Sequence, residues 1–297
     1  MKKMLHISDL HIGHKTSKWT NRARCNSLAD WMVMHFDEGD DYVVIITGDL
    51  VDSAHKLDKH GVPIHYGKVE PILEKLRDHF HKVLVVPGNH DYRSKTPDGE
   101  TYPSGRLHAL FQKSFMEGRD GPLWVEACVD GMTFIGVNSM QARLDVLEGG
   151  AAEGEIGTGQ LENLKAELDA AADRNEKVAV YLHHHPMGPD GTPLELRDAK
   201  EFKECIRAYN NVQAVLFGHN HLITPDLSFD RWAGSKELGV PFVFDAGSAS
   251  LKNKWIFAKG YCIEMDPETN KYRGFRIKYQ KEQAVLTQGK WMTVSMS

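Results

Sequence analysis

The chain has 297 residues, of which 41% are hydrophobic, so it can bury one large core or two modest ones. Its formal net charge is -5 at pH 7, and it contains no long block of lysine and arginine. Affinity for duplex nucleic acid comes largely from basic side chains that neutralise phosphates. The charge balance therefore disfavours a protein whose main task is to grip DNA or RNA, and it favours a small substrate.

The longest apolar runs are far shorter than the roughly 20 residues needed to cross a bilayer, so we expect no membrane span. The first apolar stretch is interrupted by His6, Ser8 and Asp9, which leaves no signal-peptide core. The four cysteines lie far apart and form no CxxC pair, which is typical of reduced thiols in a cytosolic protein. These features predict a cytoplasmic location.

Short β-branched runs alternate with longer amphipathic stretches, a pattern typical of an α/β architecture. The predicted elements, in chain order, are a strand at 3–7, a helix at 22–36, a strand at 42–47, a helix at 68–80, a strand at 82–86, helices at 105–116 and 160–173, a strand at 178–182, a helix at 198–209 and a strand at 213–217. We expect the helices to cover layered sheets.

Residues 123–137 and 240–280 carry successive strand signals without a helix, so part of the sheet system is predicted to be antiparallel or mixed. Residues 148–159 and 186–193 are rich in Gly or Pro and are predicted to form surface loops. We predict one domain with two packed sheets over residues 1–280. Residues 281–297 show little patterning and are expected to form a loosely held C-terminal tail.

Each of the five predicted strands is followed by side chains that can bind a metal ion. They are Asp9 and His11, then Asp49, then Asn89 and His90, then His183 to His185, then His219 and His221. In layered α/β proteins, ligands bind at the carboxyl ends of strands, where loops bring together side chains from distant parts of the chain. The coincidence predicts a single site assembled from five loops.

The spacing within these clusters favours chelation. Asp9 and His11 are two residues apart, which places them on the same side of an extended segment. His219 and His221 repeat this spacing after Gly218, where a glycine lets the backbone approach a ligand closely. Each pair can therefore reach one ion.

The remaining clusters supply oxygen donors. Asp49 offers two oxygens that can bridge two cations, which lie roughly 3.5 to 4 Å apart in sites of this type. Asn89, His90 and Asp91 place an amide oxygen, an imidazole and a carboxylate on one tight turn. Mixed oxygen and nitrogen donors without thiolate suit Mn, Fe, Zn or Co better than a sulfur-rich structural zinc site.

Several polar residues near these clusters have less specific signals. Among the three consecutive histidines only one or two can face the ions, and the spacing to Pro186 selects His184, which leaves its neighbours to packing or support. Asp52 is interpreted as a helix cap, a turn former or a supporting residue. His14 is close enough to the first cluster to touch a substrate.

The clusters, taken in order, resemble the calcineurin-like metallophosphoesterase superfamily. The matching motifs are Asp9-x-His11, Gly48-Asp49, Gly88-Asn89-His90-Asp91, His184-x-Pro186 and Gly218-His219-x-His221. Five ordered motifs are far more specific than any one of them. The resemblance implies a four-layer αββα sandwich with two mixed β-sheets, in agreement with the strand-rich stretches above.

The resemblance also implies a role for each motif residue. Asp9, His11 and His221 would bind one ion. Asn89, His184 and His219 would bind the other, and Asp49 would bridge the two. His90 would contact the scissile phosphate and protonate the leaving group, and Asp91 would orient His90.

The implied activity is hydrolysis of a small phosphodiester, with cyclic nucleotides as one substrate class, by a hydroxide held by two Mn, Fe or Zn ions. Residues 157–161, which lead into a predicted helix, are similar to a segment of small bacterial phosphodiesterases in the superfamily. The alternatives are a phosphomonoesterase or a nuclease, since residues 7–13 also resemble the start of recombination nucleases. A non-catalytic scaffold is disfavoured by the complete ligand set, and the oligomeric state stays open.

Overall fold

The fold is taken from a computed structural model that describes residues 1–14, 20–92, 104–116, 123–141, 153–187, 196–222, 228–251 and 258–296. Parts of the two predicted surface loops, at 148–152 and 188–193, lie outside these residues. Within the described ranges, no helix combines the length and the apolar character needed to span a bilayer. All four cysteines are free thiols, as the sequence predicts, and three of them are buried.

Strands and helices alternate through much of the chain. In order they are β1 (Lys3–Ile7), α1 (Asn21–His35), β2 (Tyr42–Thr47), α2 (Tyr66–Arg77), β3 (Lys82–Val86), α3 (Ser104–Phe115), β4 (Leu123–Val129), β5 (Met132–Val137), α4 (Thr158–Asp173), β6 (Lys177–Tyr181), α5 (Ala199–Arg207), β7 (Val212–Phe217), β8 (Phe242–Asp245), β9 (Tyr261–Asp266), β10 (Lys271–Gln280), β11 (Gln283–Gln288) and β12 (Met292–Thr293). The five predicted helices and five predicted strands are all present, with their ends shifted by a few residues.

The strands form two mixed sheets, which confirms the predicted fold class. The first sheet has the order β11-β10-β9-β1-β2-β3, with β12 also paired to β10. Its β1, β2 and β3 are parallel, whereas β9, β10 and β11 run antiparallel to their neighbours. The second sheet has the order β4-β5-β6-β7-β8, in which only the β4–β5 pair is antiparallel.

Strand β6 shows why the sheets and helices stack in four layers. Its side chains alternate between two cores, as the period of two in a strand requires. Ala179 and Tyr181 face the large core shared with the first sheet and α1 to α3. Val178 and Val180 face a smaller core shared with α4 and α5. The second sheet therefore lies between the first sheet and one helical layer.

The carboxyl ends of the parallel strands in both sheets meet at one edge. The backbone N–H of Gly218, after β7, donates to the carbonyl of His183, after β6. The ring Nδ1 of His183 then reaches across to the carbonyl of Thr47, at the end of β2, at 2.8 Å. Side chains that follow five different strands thus converge on the junction between the sheets.

The expectation of a loosely held tail is wrong for most of the C-terminal segment. Residues 283–288 pair with β10 over its whole second half, from Phe275 to Gln280. The backbone N–H of Ala284 also donates to Ser27 Oγ on α1 at 2.9 Å. The sequence pattern of this short strand is weak because Val285, on the exposed face, is apolar like the inward-facing Ala284 and Leu286. The assignment of residues 1–280 to one domain stays a prediction.

Removal of residues 281–297 should destabilise the fold. Ile277 is 2% exposed and pairs with Leu286, so the deletion uncovers apolar surface on β10. Exposing one such side chain costs about 2 kcal/mol of unfolding free energy. We expect a lower thermal midpoint than that of a control chain ending at Ser295, which keeps β11 and β12. Equal midpoints for the two proteins would show that β11 does not stabilise the sheet.

Candidate metal centre

Backbone hydrogen bonds join the loops that carry the predicted ligands. The N–H of Asp9 donates to the carbonyl of Gly48 at 3.1 Å, and the N–H of His11 donates to the carbonyl of Asp49 at 2.8 Å. The N–H of His219 donates to Asp9 Oδ2 at 3.0 Å. The loops after β1, β2 and β7 are therefore fixed relative to one another before any ligand is considered.

One group of side chains comprises Asp9, His11, Asp49 and His221. Their candidate ligand atoms all lie within 4.8 Å of one another. His221 Nε2 is 2.9 Å from Asp9 Oδ1 and 3.0 Å from His11 Nε2, and His11 Nε2 is 3.6 Å from Asp49 Oδ2. The structure thus brings together the three residues predicted to bind one ion and the predicted bridging carboxylate.

A second group lies on the other side of Asp49. His183 Nε2 is 3.5 Å from Asp49 Oδ1, 3.2 Å from Asn89 Oδ1 and 3.0 Å from His219 Nδ1. Asn89 and His219 were predicted to bind the second ion. Their contacts converge on His183, which the sequence left to packing or support.

The structure brings His184, the residue selected by its spacing to Pro186, to His219 together with His183, since candidate ligand atoms of the three lie within 4.8 Å of one another. The ring of His184 lies 4.5 Å from that of His219, and its Nδ1 is hydrogen-bonded to Ser139 Oγ at 2.7 Å, so Nε2 is the atom it can offer to a metal ion. His183 likewise bonds through Nδ1 to Thr47, and its Nε2 also contacts Asp49 and Asn89. His183 and His184 are therefore both candidate ligands of the second ion.

The donor chemistry fits metal ions. A neutral imidazole has one N–H donor and one lone pair, and the bond to the Thr47 carbonyl makes Nδ1 of His183 the donor. Its Nε2 lone pair then faces the amide oxygen of Asn89 and a carboxylate oxygen of Asp49. Electron-pair donors that converge in this way are satisfied by a cation, and imidazole with oxygen ligands suits Mn, Fe and Zn.

Five of the predicted ligands have a left-handed backbone, which is uncommon outside glycine. They are Asp9 (φ 57), His11 (φ 45), Asp49 (φ 50), His219 (φ 73) and His221 (φ 54). Such residues cost of order 1–3 kcal/mol each and persist only where their surroundings hold them. This local strain marks the loops as shaped for function.

Hydrogen bonds from a distant segment hold Asp9 in its strained conformation. The hydroxyls of Ser248 and Ser250 donate to the Asp9 carbonyl at 3.1 and 3.3 Å. The N–H of Ala249 donates to the carbonyl of Ser8 at 2.8 Å. These residues could not be predicted from the sequence, because they follow the last metal motif and lie in no recognisable pattern.

Gly88 permits the close approach of two loops. A Cβ atom at this position would lie 2.3 Å from Asp49 Oδ1 and 2.6 Å from the Asp49 backbone nitrogen. Such short contacts would displace the Asp49 carboxylate or its backbone, and either movement would disturb the candidate bridge. The glycine therefore has a steric role in bringing Asn89 beside Asp49.

Electrostatics favour the protonation states that a metal centre requires. Burial alone would raise the pKa of Asp9, but the imidazoles of His221, His11 and His183 outweigh it and hold that pKa well below its ordinary value. Burial, reinforced by the neighbouring His183, lowers the pKa of His219. An ionised carboxylate and a neutral imidazole are the ligand forms that bind metal ions.

The expectation that Asp91 orients His90 is wrong. The two oxygens of Asp91 accept hydrogen bonds from the backbone N–H groups of Val51 and Gly88, at 2.9 and 2.8 Å. Burial, followed by the nearby charge of Asp49, raises the pKa of Asp91 to about 8. Asp91 thus ties the loop after β2 to the loop after β3, and its carboxylate is already committed.

Asp52 is the residue that orients His90. The ring Nδ1 of His90 lies 2.6 Å from the Asp52 backbone carbonyl and 4.0 Å from Asp52 Oδ1. The other ring nitrogen, Nε2, lies 4.0 Å from Asp49 Oδ2. The His90 side chain is 17% exposed, whereas that of Asp49 is 1% exposed, so His90 lies on the solvent side of the centre.

The fold and the clustered acidic and imidazole side chains define the class as a metallophosphoesterase. A sequence model of the calcineurin-like phosphoesterases matches residues 2–222. The chain therefore belongs to the calcineurin-like phosphoesterase family. This membership supports a metal-dependent phosphoric ester hydrolase, in agreement with the resemblance read from the motifs.

Two bacterial relatives and one solved structure extend the comparison. The chain is 26% identical over 205 residues to the 3',5'-cyclic adenosine monophosphate phosphodiesterase CpdA of Haemophilus influenzae. The match covers 67% of this chain and 60% of CpdA, so the chain spans less than two thirds of the length of that relative. It is 24% identical over 269 residues to a probable cyclic nucleotide phosphodiesterase of Vesicomyosocius okutanii, covering 85% of this chain and 98% of that protein. A dimetal phosphatase from Danio rerio has the same fold, with a TM-score of 0.57 and 14% identity. The alignment covers 100% of this chain and 99% of the phosphatase.

Replacing His183 should affect metal content more than replacing His184. His183→Ala removes a nitrogen that contacts Asp49, Asn89 and His219, whereas His184→Ala removes a ring that is bonded to Ser139 and contacts the ring of His219. We expect the first variant to retain less Mn per chain after desalting, measured by elemental analysis. Circular dichroism would verify that both variants are folded. The opposite order of metal loss would favour His184 as the ligand.

Proposed function

We propose that the protein is a dinuclear metal-dependent phosphodiesterase acting on a small phosphodiester, with cyclic nucleotides as the substrate class. The observation that carries this proposal is the position of Asp49 between two groups of ligands. Its Oδ2 faces His11 at 3.6 Å, and its Oδ1 faces His183 at 3.5 Å. A carboxylate with one oxygen directed to each group is suited to bridge two ions.

The proposed ligand set follows from the two groups. Asp9, His11 and His221 would hold one ion, Asn89, His219 and either His184 or His183 the other, and Asp49 both. Bound cations of the Mn, Fe or Zn type would supply Lewis-acid chemistry, that is, a more acidic water and a polarised phosphate. Thr47, through its carbonyl, would fix the tautomer of His183 that such binding requires.

His90 is proposed as the group that acts on the substrate. Its Nδ1 is fixed by the Asp52 carbonyl, which leaves Nε2 to face the centre. Its backbone N–H donates to Asp49 Oδ1 at 2.8 Å, which holds the residue at a set distance from the candidate bridge. From this position Nε2 can hold a proton for the leaving oxygen or donate a hydrogen bond to the charged phosphoryl group.

The substrate class is supported by charge and by the relatives. The chain is acidic overall and carries no block of basic residues, so a polyanionic nucleic acid is the less favoured substrate. Both bacterial relatives described above are named as cyclic nucleotide phosphodiesterases. Free thiols at all four cysteines also support the proposed cytoplasmic location, since disulfides are rare there.

Metal removal should abolish hydrolysis, and Mn should restore it. We expect chelator-treated protein to lose hydrolysis of bis(p-nitrophenyl) phosphate and to recover it on Mn addition. Because Asp49 contacts both groups, Asp49→Ala should lower kcat/KM by more than about 100-fold, beyond the loss for His11→Ala. Asp40→Ala, an exposed carboxylate beside His81, serves as the control. Full activity in metal-free protein would refute the proposal.

Substrate preference separates the phosphodiesterase from its alternatives. We expect hydrolysis of cyclic AMP with a higher kcat/KM than that of single-stranded DNA or of a phosphomonoester, at matched enzyme and Mn concentrations. The physical reason is the net charge of -5 together with the lack of a long Lys/Arg block in the sequence, a combination that retains a polymer of phosphates poorly. Faster cleavage of DNA would favour the nuclease, and faster release of phosphate from p-nitrophenyl phosphate would favour the monoesterase.

A further inference from the structure

The carboxylate of Asp52 lies between two imidazoles at the mouth of the candidate centre. Asp52 Oδ2 is 3.6 Å from Nδ1 of His14, and Asp52 Oδ1 is 4.0 Å from Nδ1 of His90. Each oxygen of one carboxylate therefore faces the same ring nitrogen of a different histidine. His90 already has a place in the proposed reaction, whereas His14 has none.

Backbone contacts hold His14 over Asp52. The loop after β1 continues alongside the loop after β2 through a parallel bridge between Ile12 and Val51. The N–H of Ile12 donates to the carbonyl of Leu50 at 2.9 Å, and the N–H of Asp52 donates to the carbonyl of Ile12 at 3.0 Å. A turn closed by the His14 N–H and the His11 carbonyl, at 3.2 Å, then brings the imidazole to Asp52.

The glycine in this turn is required by the same packing. Gly13 has φ +109, and a Cβ atom there would lie 2.3 Å from the ring of His65. The ring of His65 is in turn held by the carbonyl of Ser53, 3.2 Å from its Nδ1. The position of His14 is thus built into the fold from both sides of the turn.

Side-chain exposure increases from the candidate bridge outward. The exposed fraction is 1% for Asp49, 17% for His90, and 26% for both Asp52 and His14. A phosphoryl group held at the buried end would leave its organic substituent on the exposed side. His14 belongs to that side, and an imidazole whose Nδ1 faces a carboxylate can use Nε2 for a substrate hydroxyl, ring nitrogen or oxygen.

We propose that His14 is a substrate-binding residue that forms a hydrogen bond with the organic group esterified to the phosphate, while His90 acts on the phosphoryl group. This inference rests on the proposed function and adds a determinant of specificity to it. Asp52 contacts both rings, that of His90 through its backbone carbonyl and that of His14 through Oδ2, which sets the spacing between the phosphoryl and organic subsites.

Inhibition by products and product analogues tests the proposal with an activated substrate. The measurement is the inhibition constant of AMP, of glycerol 3-phosphate and of inorganic phosphate against hydrolysis of bis(p-nitrophenyl) phosphate. It is made for the wild type and for His14→Ala. We expect His14→Ala to raise the inhibition constant of AMP or of glycerol 3-phosphate about threefold to tenfold, the effect of one hydrogen bond. The constant for inorganic phosphate, which has no organic group, should change less than twofold.

Two further variants control for structure. His14→Gln keeps a hydrogen-bonding group near the Nε2 position and should recover part of the affinity for the organophosphates. His81→Ala is the matched control, because His81 is also partly exposed, its Nδ1 lies 3.0 Å from Asp40 Oδ1, and it precedes β3 at the opposite end from the centre. Metal content measured in parallel would detect an indirect loss of ions.

The outcomes separate this proposal from the proposed function. If His14→Ala changed the inhibition constants of the organophosphates and of inorganic phosphate equally, the role proposed for His14 would be overturned. No change in any of these constants would overturn it as well. Wild-type inhibition by inorganic phosphate but by neither organophosphate would also overturn it, while leaving a metal-dependent phosphoesterase intact. Absence of metal-dependent hydrolysis in the wild type would instead refute the proposed function.

Discussion

The candidate centre depends on two carboxylates, Asp9 and Asp49, that are buried among imidazoles on strained backbone. Burial of an ionised carboxylate is costly unless partners compensate it. Here the compensation comes from His11, His221 and His183, which hold the pKa of Asp9 low. The left-handed backbone of both aspartates adds strain that the surrounding hydrogen bonds must offset. The surrounding sheets can be understood as the support for this arrangement.

Support for Asp9 comes from outside the family match, which ends at residue 222. Ser248 and Ser250 lie between β8 and β9, and both donate to the Asp9 carbonyl. Because β9 pairs with β1 in the first sheet, this segment crosses from the second sheet to the first directly behind Asp9. The C-terminal third therefore joins the two sheets and also supports the strained loop after β1.

The succession of strands along the chain and the clustering of most candidate ligands could be predicted from the sequence, for a physical reason. Parallel strands are continuous apolar runs, and polar residues that follow them must lie at the carboxyl edge of a sheet. Residues such as Asp9, Asp49 and Asn89 therefore carry their positions in their sequence context. The prediction was wrong for 281–297, since β11 pairs with β10 through backbone bonds that do not depend on side-chain pattern.

Side-chain direction could not be predicted from the sequence. His183, His184 and His185 are identical in type, and only tertiary contacts show that both His183 and His184 reach His219 and that His183 also contacts Asn89. The family resemblance implied that Asp91 orients His90, but a tight turn directs its carboxylate to two backbone amides instead. Partners of this kind are set by tertiary contacts between loops, which local sequence does not encode.

One consequence is that Asp49 couples the proposed binding and proton-transfer roles. Its Oδ1 accepts the backbone N–H of His90 and also faces His183, while its Oδ2 faces His11. A shift of this side chain would therefore move His90 and both ligand groups together. A terminal residue such as His221 contacts only the first group. Asp49, the proposed bridge, is thus a position at which geometry, charge and the placement of His90 are determined together.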